Sequence, residues 1–100
     1  MIEQIPVEVY EKIADLCRRH QIRELSLLGS RVRGDHTEKS DFDFLVEFFP
    51  DARIGLIEFS RIQIDLSELM NTKVDLVPKN GLKPLIRNQV LSEARVVYEA

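Results

Sequence analysis

Residues 29–43 read G-S-R-V-R-G-D-H-T-E-K-S-D-F-D. Gly29 and Ser30 follow the apolar run Leu25, Leu27 and Leu28, and Asp41 and Asp43 lead into Phe42, Phe44, Leu45 and Val46. Apolar runs on both sides predict two strands, Ile22–Leu28 and Phe42–Phe48, joined by a polar segment. Glycine lets backbone approach a phosphate closely, Ser30 adds a hydroxyl donor, and a helical turn beginning near Arg31 aims amide N–H groups at an anion. On a strand, residues two apart face the same side at about 6.6 Å, so Asp41 and Asp43 put two carboxylates on one face. Those acids repel each other unless a cation sits between them. Mg²⁺, a hard ion commonly held by one or two carboxylates plus substrate phosphates, suits the pair.

Outward from this stretch, Lys73-Val-Asp-Leu-Val77 reads as a third strand. If it lies beside the strand of Asp41 and Asp43, Asp75 brings a third carboxylate to the same point. Three acids around one or two metal ions, near a phosphate-binding turn, make a phosphoryl-transfer site. Arg31 and Arg33 lie within reach to hold phosphate charge, and Ser40 fixes the turn beside the acids. Gly29, Ser30, Arg33 and Ser40 are the candidate nucleotide-binding residues, and Asp41, Asp43 and Asp75 the candidate catalytic and metal-binding ones. Neither a Gly-Ser pair nor an Asp-x-Asp pattern is specific alone; the fixed spacing and strand context carry the reading. The competing reading of the acids is a solvent-facing strand edge, against which stands their clean alternation with Phe42 and Phe44. His36 falls in the polar loop and reads as solvated. His20, at a helix end, reads as a charge partner rather than a ligand.

The remaining elements follow from periodicity. Val7–His20 carries Tyr10, Ile13, Leu16 and Cys17 at helical spacing after Pro6. Asp51 is the expected N-cap of a helix running to Met70, with Ile54, Ile57, Phe59, Ile62, Leu66 and Leu69 on a wide apolar face. Ile62, Ile64 and Leu66 also alternate with polar residues, a strand-like pattern that the length of the segment overrides. Pro78 and Asn80-Gly81 stop the third strand, Leu82–Leu91 is a last helix, and Val96–Tyr98 an extended tail. The order predicts an α/β (α+β) fold: a small mixed β-sheet with helices packed mainly on one face, in one domain over residues 1–100.

Composition agrees with a modest globular chain. One hundred residues, 44% hydrophobic and 31% charged, leave room for one core. No segment approaches the roughly 20 apolar residues of a membrane span, and Cys17, a lone cysteine on an apolar stripe, reads as core. The cytoplasm is the expected location. A net charge of −3 offers no general attraction to nucleic acid or anionic membrane. Bases do gather from Lys73 to Arg95, either as a wall facing the acids or as a solvated face.

The Gly29-Ser30 pair, ten residues, Asp41-x-Asp43 and a later-strand Asp75 together resemble the DNA polymerase beta-like nucleotidyltransferase superfamily. Gly29-Ser-Arg-Val-Arg-Gly34 with Ser40-Asp-Phe-Asp-Phe-Leu-Val46 further resembles its smallest members, the minimal nucleotidyltransferases or MntA-like antitoxins. The resemblance implies that Asp41, Asp43 and Asp75 hold divalent metal, Mg²⁺ as one or two ions, and that Gly29 and Ser30 grip nucleotide phosphate. It implies transfer of AMP from ATP to a tyrosine hydroxyl of a partner HEPN-domain toxin, which the modification silences. The family usually shows a small residue where Val32 stands, a mild departure.

Two alternatives stay open at this point. One is nucleotidyl transfer to a small molecule or RNA end; the other is a non-catalytic module that neutralises a toxin by binding alone. Homo- or hetero-oligomers are compatible with either, and direct nucleic-acid binding is not expected.

Overall fold

The computed structural model describes residues 5–28 and 42–100. The polar segment 29–41, with its expected helical turn, lies outside the described residues.

Helix α1 spans Val7–Arg19, with Pro6 at its N-cap, Glu8 in the first turn and Arg18 and Arg19 in the last. Those charges complement the helix dipole. Ile13, Leu16 and Cys17 form its buried stripe. The N–H of His20 returns to the Leu16 carbonyl at 3.1 Å, and Gln21, at φ 58°, turns the chain into strand β1, Ile22–Leu28. Strand β2 is Phe42–Phe48, and both strands match the bounds that alternation and flanking turns predict.

Helix α2 spans Leu56–Met70 and starts five residues later than the expected cap at Asp51. The chain instead turns over residues 49–52, the Ala52 N–H meeting the Phe49 carbonyl at 2.9 Å, and Gly55 is the N-cap in extended conformation. Glycine's poor helix propensity and an extended path that packs Ile54 against the core explain the delay. The strand-like alternation inside α2 does not prevail: Ile62 and Leu66 are fully buried while Ile64 turns outward. Asn71, at φ 54°, ends the helix in the left-handed conformation that asparagine tolerates well.

Strand β3, Val74–Pro78, lies one residue further on than expected and includes the proline. Pro78 is accommodated because it ends an outermost strand. A single 3₁₀ turn at Lys79–Gly81 leads to helix α3, Pro84–Glu93. The expected start at Leu82 is two residues early, because Pro84, with φ already helical, occupies the first helical position. The tail becomes a true strand, β4, Arg95–Glu99.

The sheet order is β3-β2-β1-β4. β1 runs antiparallel to β2 and β4, whereas β2 and β3 are parallel and joined by α2 as their crossover. Ile13, Cys17, Ile62, Leu66, Phe44, Val46, Val74 and Leu76 belong to one core between α1, α2 and the sheet. A smaller cluster of Leu28, Leu45 and Val90, with Val77, Ile86 and Leu91 against it, lies under α3 on the opposite face. Two helices thus share the main face, and the third covers part of the other.

Candidate active site

Alternation along β2 sends Phe42, Phe44, Val46 and Phe48 into the main core. Asp43, Leu45 and Glu47 therefore share the opposite face. In register, Leu28 of β1 stands against Asp43 of β2, and Asp43 against Asp75 of β3. Register partners point to the same side of a sheet and sit about 4.8 Å apart, so two carboxylates meet at the β3 side of β2. Asp43 is only 5% exposed and Asp75 is half-buried.

The placement follows from the sequence around each acid. Phe42 and Phe44 are drawn inward to α1 and α2, which fixes Asp43 outward between them. Val74 and Leu76 are buried in the same core and do the same for Asp75. The amide of Phe42 donates to the Lys73 carbonyl at 3.4 Å, so β2 and β3 begin pairing one residue ahead of the acids. Gly29 follows Leu28 directly in the chain, which brings the chain to the start of the Gly-Ser motif from the same row of residues. Gly29, Ser30, Arg33, Ser40 and Asp41 themselves lie outside the described residues, as does His36.

Two ionised carboxylates about 5 Å apart repel by about 3 kcal/mol at an intermediate dielectric, which a shared divalent cation reverses. Asp43 and Asp75 supply only oxygen donors, the chemistry Mg²⁺ requires, and the residues present fit such an ion.

Sequence reading gave Gln63 and Ser67 no role beyond polar positions of a helix. In the fold both reach β3: the Val74 N–H donates to Ser67 Oγ at 3.0 Å and the Leu76 N–H to Gln63 Oε1 at 2.9 Å. Only knowledge that β3 is an outermost strand would have drawn attention to them. The basic stretch divides in use. Lys79 Nζ pairs with Glu47 at 3.2 Å and Glu24 at 3.5 Å, Arg87 donates to the Lys79 carbonyl, and Lys73, Lys83 and Arg95 are exposed. His20 Nδ1 lies 2.9 Å from Glu58 Oε2 and so ties the end of α1 to α2.

A cleft of about 690 Å³ opens at the other end of the sheet, lined by Phe48, Phe49, Phe59, Pro78, Lys79 and Arg87 among others. The nearest lining residue of β2, Val46, lies three positions beyond Asp43, about 10 Å of strand, so the cleft is set apart from the paired acids. No described helix is long and apolar enough to cross a membrane.

The chain matches the nucleotidyltransferase domain family over residues 9–97. It is 40% identical over 84 residues to the protein adenylyltransferase MntA of Thermococcus cleftensis, a match covering 84% of this chain and 81% of that protein. A structure solved as that of a minimal nucleotidyltransferase shares 38% identity at a TM-score of 0.64, covering 85% of each chain. A chain in the complex of a tri-AMPylated Shewanella oneidensis HEPN toxin with its MNT antitoxin has the same fold, at a TM-score of 0.65 and 19% identity. That likeness covers 93% of this chain and 71% of the other. The chain belongs to the nucleotidyltransferase domain family, among its minimal nucleotidyltransferases.

Proposed function

We propose that this protein is a Mg²⁺-dependent protein adenylyltransferase that moves AMP from ATP to a tyrosine hydroxyl of a partner HEPN toxin, acting as the antitoxin of the pair. The observation that carries the reading is the register pairing of Asp43 with Asp75 in one row with Leu28, the residue before the Gly29-Ser30 motif. The name of the 40%-identical Thermococcus relative supports the reaction, and the AMP-bearing toxin in the Shewanella complex supports the acceptor.

In this reading Asp41, two residues ahead of Asp43, joins Asp43 and Asp75 as the ligands of one or two ions. When bound, the ions neutralise charge on the transferring phosphoryl group and acidify the attacking hydroxyl. Gly29 and Ser30 hold the triphosphate, Arg33 carries phosphate charge, and Ser40 keeps the turn beside the acids. The acceptor oxygen bonds to the α-phosphorus as the bond to the β-phosphate oxygen breaks and pyrophosphate departs. The hydroxyl proton passes to the Asp75 carboxylate. One minimal domain working in the cytoplasm suffices, because the partner supplies the acceptor. Leu56 and Ile57 at the start of α2, 81% and 87% exposed, give such a partner apolar surface to cover.

The test is to incubate the protein with Mg²⁺, ATP and its cognate HEPN partner and to measure the partner's intact mass. Increments of one or more AMP units on tyrosine are expected. Tight association with no mass change under any nucleotide favours a binding module, and modification of an added small hydroxyl compound or RNA end favours the other transfer reaction. Full transfer by Asp75→Asn alongside loss in Asp41→Asn removes Asp75 from the proton-accepting role.

A further inference from the structure

The N–H groups of residues two apart on a strand leave by the same edge, and that of the residue between them by the other. β3 is outermost in the sheet, so the amides of Val74 and Leu76 leave by the edge away from β2. Both are met by side chains of α2. Ser67 Oγ accepts from Val74 at 3.0 Å and donates to the Gln63 carbonyl at 2.9 Å, while Gln63 Oε1 accepts from Leu76 at 2.9 Å. Gln63 and Ser67, four residues apart, present their polar atoms as one turn of helix laid along the strand.

The residue between the two anchored amides is Asp75. We propose that Gln63 and Ser67 are positioning residues: by holding the amides on both sides of Asp75 they keep its carboxylate opposite Asp43, and so set the affinity of the pair for a divalent cation. The inference rests on the reading of Asp75 as a site carboxylate.

A five-residue strand held by β2 alone is weakly constrained in tilt and translation, and a slip of one residue sends a side chain to the other face. Anchoring residues i−1 and i+1 from the outer edge removes both freedoms at residue i. Residues that orient a metal ligand typically matter by tenfold to a hundredfold in affinity or rate, and about 1 Å of misplacement is enough for such losses. The competing account is that Gln63 and Ser67 only cover an exposed strand edge, a device that protects against edge-to-edge pairing and has no bearing on the site.

The experiment compares wild type, Gln63→Leu, Gln63→Glu, Ser67→Ala, Ser67→Thr and Asp75→Asn. The readouts are Mn²⁺ affinity by electron paramagnetic resonance, amide exchange at Leu76 and Val74, and the kcat and KM of AMP transfer. Gln63→Leu is expected to speed Leu76 exchange, weaken Mn²⁺ binding about tenfold and lower kcat comparably, with the KM for ATP within twofold. Gln63→Glu and Ser67→Thr, which keep an acceptor oxygen, are expected to restore all of these. If Gln63→Leu does not fold, Ser67→Ala, which loses a single oxygen, carries the comparison. Faster exchange with Mn²⁺ affinity and kcat unchanged overturns the inference while Asp75→Asn still loses binding. Asp75→Asn binding Mn²⁺ as tightly as wild type overturns the reading of Asp75 itself, and this inference with it.

Discussion

Asp43 and Asp75 are register partners on adjacent parallel strands, one buried and the other half-buried, on the face away from α1 and α2. In the proposed function their proximity sets stability against activity. Asp75→Asn removes one of two neighbouring charges, so in chelator the variant is expected to melt a few degrees above wild type; about 1 kcal/mol corresponds to roughly 4–8 °C in a domain of this size. Added Mg²⁺ is expected to raise the melting temperature of wild type and leave the variant unmoved, since only the wild-type pair gains by binding. Adenylyl transfer by the variant should fall by about a hundredfold or more. Calorimetry in EDTA and in Mg²⁺, beside the transfer assay, checks each part. A variant that is less stable in chelator and still gains from Mg²⁺ contradicts the account.

Lys79 serves a second pair of like charges. Glu24 and Glu47 stand directly opposite each other in register on β1 and β2, and Lys79 Nζ lies 3.5 and 3.2 Å from their carboxylates. Facing like charges destabilise a sheet, and these three side chains are all partly shielded from solvent. Lys79→Met is expected to cost about 1–2 kcal/mol at low salt, less at high salt, as a loss in urea midpoint. Glu47→Gln in the Lys79→Met background should recover part of that loss. Independence of salt would indicate that the lysine stem, rather than its charge, matters.

The strands at the site were readable because each carries its own punctuation. Ile22–Leu28 and Phe42–Phe48 are bounded by Gln21, Gly29 and Pro50, and alternation along Phe42–Phe48 assigns a face to Asp43, whereas β1 shifts register between Ile22 and Glu24. The start of α2 was not readable from periodicity, because Ile54 and Ile57 fit an apolar helix face as well as they fit an extended segment followed by an exposed turn. Only the sheet, by taking Ile54 into its core, decides between them. Pro84 was a local signal that outweighed the apolar Leu82, and its fixed φ moved the helix start. The strand of Asp75 was legible, but its parallel pairing with β2 depends on the crossover helix and hence on packing across the whole chain. The roles of Gln63 and Ser67 depend in turn on that pairing, which puts them two inferences beyond the sequence.

Cys17 is fully buried on α1, and burial pushes its thiol from the usual 9.0 up to about 12, with Arg18 pulling slightly the other way. In the folded chain the thiol stays protonated through the range where an unfolded one ionises. A folded pKa above the unfolded value gives stability that is fully present below pH 9 and lost as pH rises toward 12. The slope contributed by this group is about 1.4 kcal/mol per pH unit across that window. Urea midpoints between pH 8 and 11 should therefore fall more steeply for wild type than for Cys17→Ala, once the variant's lower overall stability is subtracted. Alkylation at pH 8 should proceed only with global unfolding. Parallel slopes in the two proteins, or fast alkylation of the native chain, would contradict burial of the thiol.

Leu56 and Ile57 begin α2 with their side chains 81% and 87% exposed, and Ile64 lies further along the helix at 55%. Exposed apolar side chains at a helix start do little for the fold, so Ile57→Glu is expected to change stability by less than about 0.5 kcal/mol. A partner that covers this surface gains from burying it, and an isoleucine contributes about 1.5–3 kcal/mol when fully covered. The same substitution should then weaken association with the proposed HEPN partner about tenfold or more, because the introduced carboxylate loses its water without a counter-charge. The KM for the partner should rise in step while the KM for ATP stays fixed, since the proposed site at Asp43 and Asp75 is untouched. Calorimetric titration of the partner into wild type and Ile57→Glu, followed by transfer kinetics, decides the matter. Equal affinities would place the contact on another surface, with Leu85 of α3, 98% exposed, the next position to test.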